Sequence, residues 1–250
     1  MKLLYVLNII LLNATTIVSL ITKMPCKGKI SRKSAIFNAR PPLADGFYDE
    51  SAFEKISLKL FRYLVQKNIG YKSEKPGYEG LVDEAQNFMI VQGATPKEQS
   101  EMVEKCLKTI AGPLVPIVYR TFMAPFFWAP FLTAFFTPPF FKFLVGPNEV
   151  HARTDNKPGG VYVERCRFLE ETNCKGLCTN MCKLPTQNFF KDTLGLEMSM
   201  KPDFETYECR LSFGLAPLPL EQDPDVPKGC LMSCSSKKNG ANEIKVCSKQ

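Results

Sequence analysis

The sequence predicts an α+β protein, mostly helical, in which an N-terminal helical half packs on a cysteine-rich C-terminal half with a short β element. Three observations support this class: capped helical periodicity from Ser51 onward, a strand-like run at residues 161–163, and seven of the ten cysteines between residues 166 and 234. The chain has 250 residues, 45% of them hydrophobic and 23% charged. Such a chain can bury a full core and is too apolar for a disordered or fibrous protein.

The first 40 residues predict a two-part targeting leader. Residues 1–20 resemble a signal peptide, with Lys2 ahead of an apolar run from Leu3 to Leu12. Residues 21–40 resemble a transit peptide, because they are basic, contain serine and carry no acidic residue. A signal followed by a transit-like stretch predicts a plastid (chloroplast) protein with a bipartite address. The alternative is a secreted protein with a basic pro-region.

The net charge of +7 comes entirely from this leader. Residues 1–40 hold seven basic and no acidic residues, which leaves 25 basic against 25 acidic residues in the rest of the chain. A neutral body lacks the electrostatic footprint of a nucleic-acid-binding protein. The single histidine, His151, also excludes sites that need two or more histidines from one chain, such as HExxH zinc sites.

The helical half begins with a capping box at Ser51, where Glu54 stands at the position that reaches back to the cap. Gly70 supplies the stop signal. Apolar residues recur between them at helical spacing: Phe53, Ile56, Leu60, Phe61, Leu64 and Val65. These residues predict one helix between the two signals.

Two further helices are predicted in this half. One spans about residues 79–92 and stops at Gly93, and the next starts at a second capping box, Thr95 to Glu98. Cys106 lies in the apolar stripe of that later helix. It is therefore predicted to be a buried core thiol with no role in a site.

Residues 113–145 form an apolar, phenylalanine-rich segment with no charge between Arg120 and Lys142. Four prolines within this charge-free stretch, Pro125, Pro130, Pro138 and Pro139, argue against a transmembrane helix, because each removes a backbone donor that lipid cannot replace. Two interpretations stay open: short buried helices, or a surface that lines an apolar tunnel or dips into a bilayer. The candidate tunnel residues are Phe127, Trp128, Phe131 and Phe135.

The cysteine-rich half carries the candidate chemistry. Cys174, Cys178 and Cys182 stand at i, i+4 and i+8, which places them on one face of a helix. Bonds within this trio would be strained, because neighbours four apart on a helix are too distant for a disulfide. A disulfide framework with other partners and a structural zinc site both stay open, although zinc sites usually have C-x2-C spacing.

The third possibility is thiolate-bound iron or an iron–sulfur cluster, which needs about four cysteines on one concave surface. Cys166 together with the trio offers that number. The full set of candidate metal ligands is Cys166, Cys174, Cys178, Cys182, Cys209, Cys230 and Cys234. No acid–base pair stands out in the sequence, so no catalytic residue is assigned.

The run from Val161 to Gln187 resembles the plant beta-carotene isomerase family of the strigolactone pathway (Dwarf twenty-seven type). Its core is C-x7-C-x3-C-x3-C, beginning at Cys166. Supporting stretches are residues 75–81, 143–150, 202–204, 213–214 and 223–224, with Gly195 and Cys209. The resemblance covers residues 47–236 as one domain, divided into a helical, apolar part (47–150) and a cysteine-rich part (158–236) and followed by a polar tail (237–250).

The resemblance implies a plastid, iron-containing isomerase that interconverts all-trans- and 9-cis-beta-carotene or a related carotenoid. Its partners would be the carotenoid, a plastid membrane and an electron donor. A one-electron centre suits the reaction, because brief electron exchange weakens a polyene double bond without net redox change. The rival hypotheses are a secreted disulfide-rich binding protein and a non-catalytic plastid protein that binds metal or carotenoid.

Overall fold

The computed structural model describes residues 47–224, which include most of the helical and cysteine-rich halves. In this part of the chain the α+β class is confirmed: most residues are helical, and four strands form one antiparallel sheet. The predicted leader (1–40), the polar tail (237–250) and two candidate ligands, Cys230 and Cys234, lie outside the described residues.

Helix α1 (Ala52–Ile69) begins and ends where the sequence predicts. The Ser51 hydroxyl accepts a hydrogen bond from the Glu54 amide at 3.3 Å, and Gly70 ends the helix with a φ of +69°. The Glu54 carboxylate, predicted to reach back to the cap, instead lies 3.1 Å from Nζ of Lys142. This ion pair connects the start of α1 to a later helix.

The apolar residues of α1 form two stripes, only one of which is buried. The core-facing residues are Leu58, Phe61, Leu64, Val65 and Ile69. The exposed apolar residues are Phe53, Ile56, Leu60 and Tyr63. Helical spacing therefore identified the helix but did not separate its inner from its outer face.

Two helices follow α1 and pack against it. They are α2 (Gly77–Gln86), which is continued by a π-helical turn (Asn87–Val91), and α3 (Pro96–Ala111). The predicted capping box of α3 is confirmed, with the Glu98 carboxylate accepting from the Thr95 amide at 2.8 Å. Cys106 on α3 is fully buried, as predicted for a core thiol. Burial raises its pKa to about 11.

The apolar segment of residues 113–145 forms two helices, α4 (Leu114–Phe122) and α5 (Ala129–Val145). Helix α5 turns its small residues inward, since Ala129 and Ala134 are fully buried while Phe136 is half exposed. The segment is thus partly core and partly surface. Among the residues that the structure describes, no helix is long and apolar enough to cross a bilayer.

The sheet follows α5 and has the strand order β1-β2-β4-β3. Its strands are β1 (Asn148–Ala152), β2 (Pro158–Val163), β3 (Met198–Pro202) and β4 (Cys209–Phe213). The predicted strand at 161–163 is the second half of β2. In the ladder, Cys209 stands opposite Val163 of β2 and Pro202 of β3.

Helix α5 packs closely on this sheet at two glycines. A Cβ added at Gly159 would lie 2.8 Å from Cβ of Pro130, and one at Gly214 would lie 2.6 Å from Cγ of the same proline. Both glycines have positive φ, which L side chains rarely adopt. Glycine at these positions lets the start of α5 approach the sheet.

Short helical segments connect β2 to β3. They are α6 (Arg167–Thr172), α7 (Lys175–Cys178), a π-helical segment (Thr179–Lys183), α8 (Leu184–Asn188) and a second π-helical segment (Phe189–Leu194). A 3₁₀ turn (Leu220–Gln222) follows β4. Four of the six described cysteines lie between β2 and Lys183, the last residue of the π-helical segment that follows α7.

Candidate functional site

Four cysteines line one small cavity between the sheet and the segments that follow α6. We call it the cysteine cavity; its thiols belong to Cys166, Cys178, Cys182 and Cys209. The remaining wall is Val145, Val163, Leu169, Lys183, Met200, Pro202 and Leu211. Its volume is about 10 Å³, close to that of one water molecule. The site is therefore a small, mostly apolar enclosure around four sulfur atoms.

The sheet positions two of these thiols. Cys209 is the first residue of β4 and pairs with Val163 at the end of β2. Three residues after Val163, the Cys166 amide donates a hydrogen bond of 2.8 Å to the carbonyl oxygen of Tyr207. The antiparallel pairing thus brings together two cysteines that are 43 positions apart in the sequence.

The other two thiols lie on the helical side. Cys178 ends α7 and Cys182 lies in the π-helical segment that continues it. Cys174, the predicted third member of the trio, is the residue before α7 and has extended backbone angles. The helix starts after Cys174, so the prediction that all three cysteines lie within one helix is wrong. Cys174 is not among the residues that line the cavity, where Cys209 is the fourth thiol; a role for Cys174 as a metal ligand stays a prediction.

Burial keeps the four thiols protonated at neutral pH. Loss of hydration raises the pKa of Cys166 to about 11 and raises that of Cys182 further. The pKa values of Cys178 and Cys209 are also raised well above the usual range, first by burial and then by the negative charge that neighbouring cysteines would carry as thiolates. Deprotonation of one thiol therefore disfavours deprotonation of the others.

A buried lysine stands beside the sulfur atoms. Lys183 is 2% exposed, lines the cavity and forms an ion pair with Asp223, which follows the 3₁₀ turn. Its positive charge lowers the pKa values of Cys178 and Cys209, although burial outweighs it. Sequence reasoning missed this pair because its members are 40 residues apart. The only local signal was a lysine directly after Cys182.

The donor set fits a thiophilic metal in type and number. Four sulfur donors in a dry enclosure are the ligands that zinc and iron–sulfur sites use. Within residues 47–224, however, no three Cys, His, Asp or Glu side chains already stand as a coordination sphere. Metal binding would require thiol rotation and proton release. No described cysteine forms a disulfide with another, which does not favour the disulfide-rich alternative.

The predicted tunnel residues lie on the outside of the molecule. Phe127 and Phe135 are exposed, while Trp128 and Phe131 are half-buried. A second apolar cavity, of about 20 Å³, touches Cys182 from the side of α1 and α3, but none of the four residues lines it. Their role in substrate binding stays a prediction.

Comparisons with known proteins address the same region. Residues 143–222, which contain all four thiols and Lys183, match the family described as beta-carotene isomerase D27-like, C-terminal. The chain is 33% identical over 199 residues to the chloroplastic beta-carotene isomerase D27 of Medicago truncatula, covering 78% of each chain. It is 34% identical over 200 residues to the Arabidopsis thaliana protein of the same name, covering 76% of this chain and 74% of that one.

No solved structure matches the chain significantly. The two plant relatives nevertheless extend well beyond the matched C-terminal region, into the helical half of this chain. With a third of the residues identical over about three quarters of both proteins, the relationship is one of common descent. The chain belongs to the beta-carotene isomerase D27 family.

Proposed function

We propose that the protein is a plastid isomerase that interconverts the all-trans and 9-cis forms of beta-carotene or a related carotenoid. Both relatives are named chloroplastic beta-carotene isomerases. The observation that carries the proposal is the cysteine cavity, because all four of its thiols lie in the region that matches the family. A leader with signal-like and transit-like parts supports the plastid location.

We further propose that Cys166, Cys178, Cys182 and Cys209 hold iron. Iron bound to thiolates supplies one-electron chemistry, which suits a reaction that weakens a double bond without net oxidation or reduction. The thiols are buried and protonated, so each must give up its proton on binding. The site is expected to bind metal more tightly as the pH rises.

The residues around the thiols prepare the cavity for this role. Val163, Leu211 and Met200 exclude water, so charges inside interact more strongly than they would at the surface. Lys183 places a positive charge beside the sulfur atoms, which favours the thiolate form. Asp223 compensates that lysine, so the cavity contains no isolated charge before metal binds.

In this proposal the substrate reaches the site from a membrane. An electron donor would keep bound iron in its active state. A carotenoid is a long hydrocarbon without a polar group, and the two apolar cavities have volumes of only about 10 and 20 Å³. They cannot enclose a polyene as they stand. Side chains next to the cavity must therefore move when the carotenoid approaches.

The test is an isomerisation assay from both directions. The full chain is purified without oxygen and mixed with all-trans- or 9-cis-beta-carotene in detergent micelles, and the isomers are separated by chromatography. A true isomerase brings both mixtures to the same ratio. Cys209→Ser is expected to abolish conversion, whereas Cys106→Ser, which alters a buried thiol outside the cavity, is expected to retain it.

Conversion in neither direction by an iron-loaded protein would overturn the proposal. Carotenoid that binds but stays unchanged would instead support the non-catalytic binding protein. If Cys209→Ser isomerises as fast as the unaltered protein, the reaction does not depend on the cysteine cavity.

A further inference from the structure

The outer sides of α4 and α5, with the turn between them, form a large apolar patch. We call it the α4–α5 surface. It consists of ten apolar side chains that are each at least 46% exposed: Leu114, Val115, Ile117, Val118, Phe122, Phe126, Phe127, Phe135, Phe136 and Phe140. The two helices are joined by the hydrogen bond between Tyr119 and Thr133. Large exposed apolar patches on soluble proteins mark protein or membrane contacts.

Three hydroxyl groups of these helices form hydrogen bonds within the protein. The hydroxyls of Thr133 and Thr137 donate to backbone carbonyls four residues earlier, at 2.7 Å each. The Tyr119 hydroxyl hydrogen-bonds to Thr133. No charged residue lies between Arg120 and Lys142. The patch can therefore enter an apolar medium without leaving these hydroxyls unpaired.

The exposed stripe of α1 continues the same surface. Phe53 at the start of α1 makes an edge-to-face contact with Phe140 of α5, with ring centroids 6.3 Å apart. Next to this contact, Lys142 pairs with Glu54. The apolar area thus extends beyond α5 and ends at charged residues.

The charges near the surface have a basic excess, although two of the basic residues are ion-paired: Lys108 with Glu104 and Lys142 with Glu54. Between Lys105 and Asn148 there are four basic residues and no acidic residue. The excess positive charge belongs to Lys105 and Arg120, which are exposed, and Arg120 donates only to a backbone carbonyl; an apolar surface with such basic neighbours complements an anionic lipid surface.

The geometry fits a surface that lies in the membrane interface and does not cross it. Helix α4 has 9 residues and α5 has 17, which correspond to about 14 and 25 Å. Helix α5 also contains Pro138 and Pro139 and ends near Lys142. Interfacial helices bury their apolar faces to a depth of about 5–10 Å.

We infer that the α4–α5 surface docks into the interface of an anionic lipid bilayer. The inference deepens the proposed function, on which it rests for the reason that a carotenoid dissolves in a bilayer and not in water. Phe127, at the turn and 81% exposed, is the deepest anchor. Beside it, Trp128 stacks on Phe126 with ring centroids 4.9 Å apart.

Trp128 gives the experiment a local probe, because it is the only tryptophan in the sequence. Phosphatidylglycerol vesicles without carotenoid are added to the full chain, and the fluorescence is recorded. The emission is expected to shift to shorter wavelength and to be quenched by brominated lipid. Phosphatidylcholine vesicles should give a weaker response, and added salt should reduce binding to phosphatidylglycerol.

Phe127→Glu combined with Ile117→Glu should raise the lipid concentration for half-maximal binding at least about tenfold. Val91→Glu is the matched control, because Val91 is 76% exposed but lies outside the α4–α5 surface. It should bind lipid as the unaltered protein does. Circular dichroism checks that each variant is folded.

An unchanged Trp128 spectrum with vesicles, or no quenching by brominated lipid, overturns the inference without any variant. Equal lipid binding by the double variant and the Val91 control also overturns it. A dimer in solution that the double variant loses, with no lipid response, would assign the surface to a second copy. Isomerisation in micelles by a protein that does not bind vesicles would refute only this inference. Lipid binding without isomerisation would refute only the proposed function.

Discussion

The cysteine cavity and the α4–α5 surface are both built from apolar segments, yet they meet water in opposite ways. The four cavity thiols are at most 7% exposed, whereas Phe127 is 81% exposed. The cavity is closed by strands on one side and by short helical segments on the other. The surface has no such cover within the described residues. Apolar composition is therefore shared by a site that excludes water and by one that we propose to contact lipid.

The difference arises from which side chains face the sheet. Helix α5 packs with small residues, Ala129 and Ala134, and leaves its larger phenylalanines outside. The cysteine segments do the reverse, since Leu169 and Leu177 are fully buried. Stability is expected to depend on the cavity, and membrane binding on the surface. The following predictions test that division, from the largest expected effect to the smallest.

The largest loss of stability is expected from breaking the ion pair behind the cavity. Lys183→Met removes the cation that faces the buried Asp223 carboxylate and so breaks the buried ion pair, which should cost about 3–5 kcal/mol. Urea unfolding measures this loss. The double variant Lys183→Met with Asp223→Leu removes both charges and should recover most of the stability. Equal losses in the single and double variants would show that lysine packing, and not the broken ion pair, is responsible.

A matched pair of truncations compares the two regions directly. Leu169→Ala removes a fully buried side chain of the cavity wall and should cost about 2–5 kcal/mol. Phe136→Ala removes a larger side chain that is 51% exposed, and the expected loss in water is about 1 kcal/mol or less. Thermal and urea unfolding report both. A loss as large for Phe136→Ala would place that side chain in the core.

The smallest effect concerns Cys106, a buried thiol away from the cavity. Its folded pKa is raised from 9.0 to about 11, so the folded state keeps a proton that the unfolded state releases first. The stabilising contribution is complete below about pH 9 and is lost as the pH rises towards 11. Between pH 8.5 and 10.5, the urea midpoint of Cys106→Ala should therefore fall less than that of the unaltered protein. Parallel curves would contradict the assignment.

Local signals in the sequence predicted the helices well. The caps at Ser51 and Thr95 and the stop at Gly70 depend on residues three to four positions apart, and the structure confirms each boundary. Burial was harder to predict, because Phe53 and Phe61 have the same apolar character. Only the packing of other elements decides which of the two is covered.

The candidate site was predicted in part. Cys166, Cys178 and Cys182 are close in sequence and meet in the cavity, as the cysteine pattern suggested. Cys209 joins them through the pairing of β2 with β4, a long-range contact that spacing cannot show. Cys174 lies directly before α7 and is not among the residues that line the cavity. The fourth member of the group was thus fixed by topology and not by helical periodicity.

We propose that Cys166, Cys178, Cys182 and Cys209 act together as the ligands of a thiolate-bound iron centre. Each of the six described cysteines is changed to Ser in turn, and iron and acid-labile sulfide are measured after purification without oxygen. Ser is a poorer ligand for a soft site, so the four cavity variants should lose iron. Cys106→Ser and Cys174→Ser should keep it. Full iron in Cys209→Ser together with loss in Cys174→Ser would contradict the account and restore the helical trio.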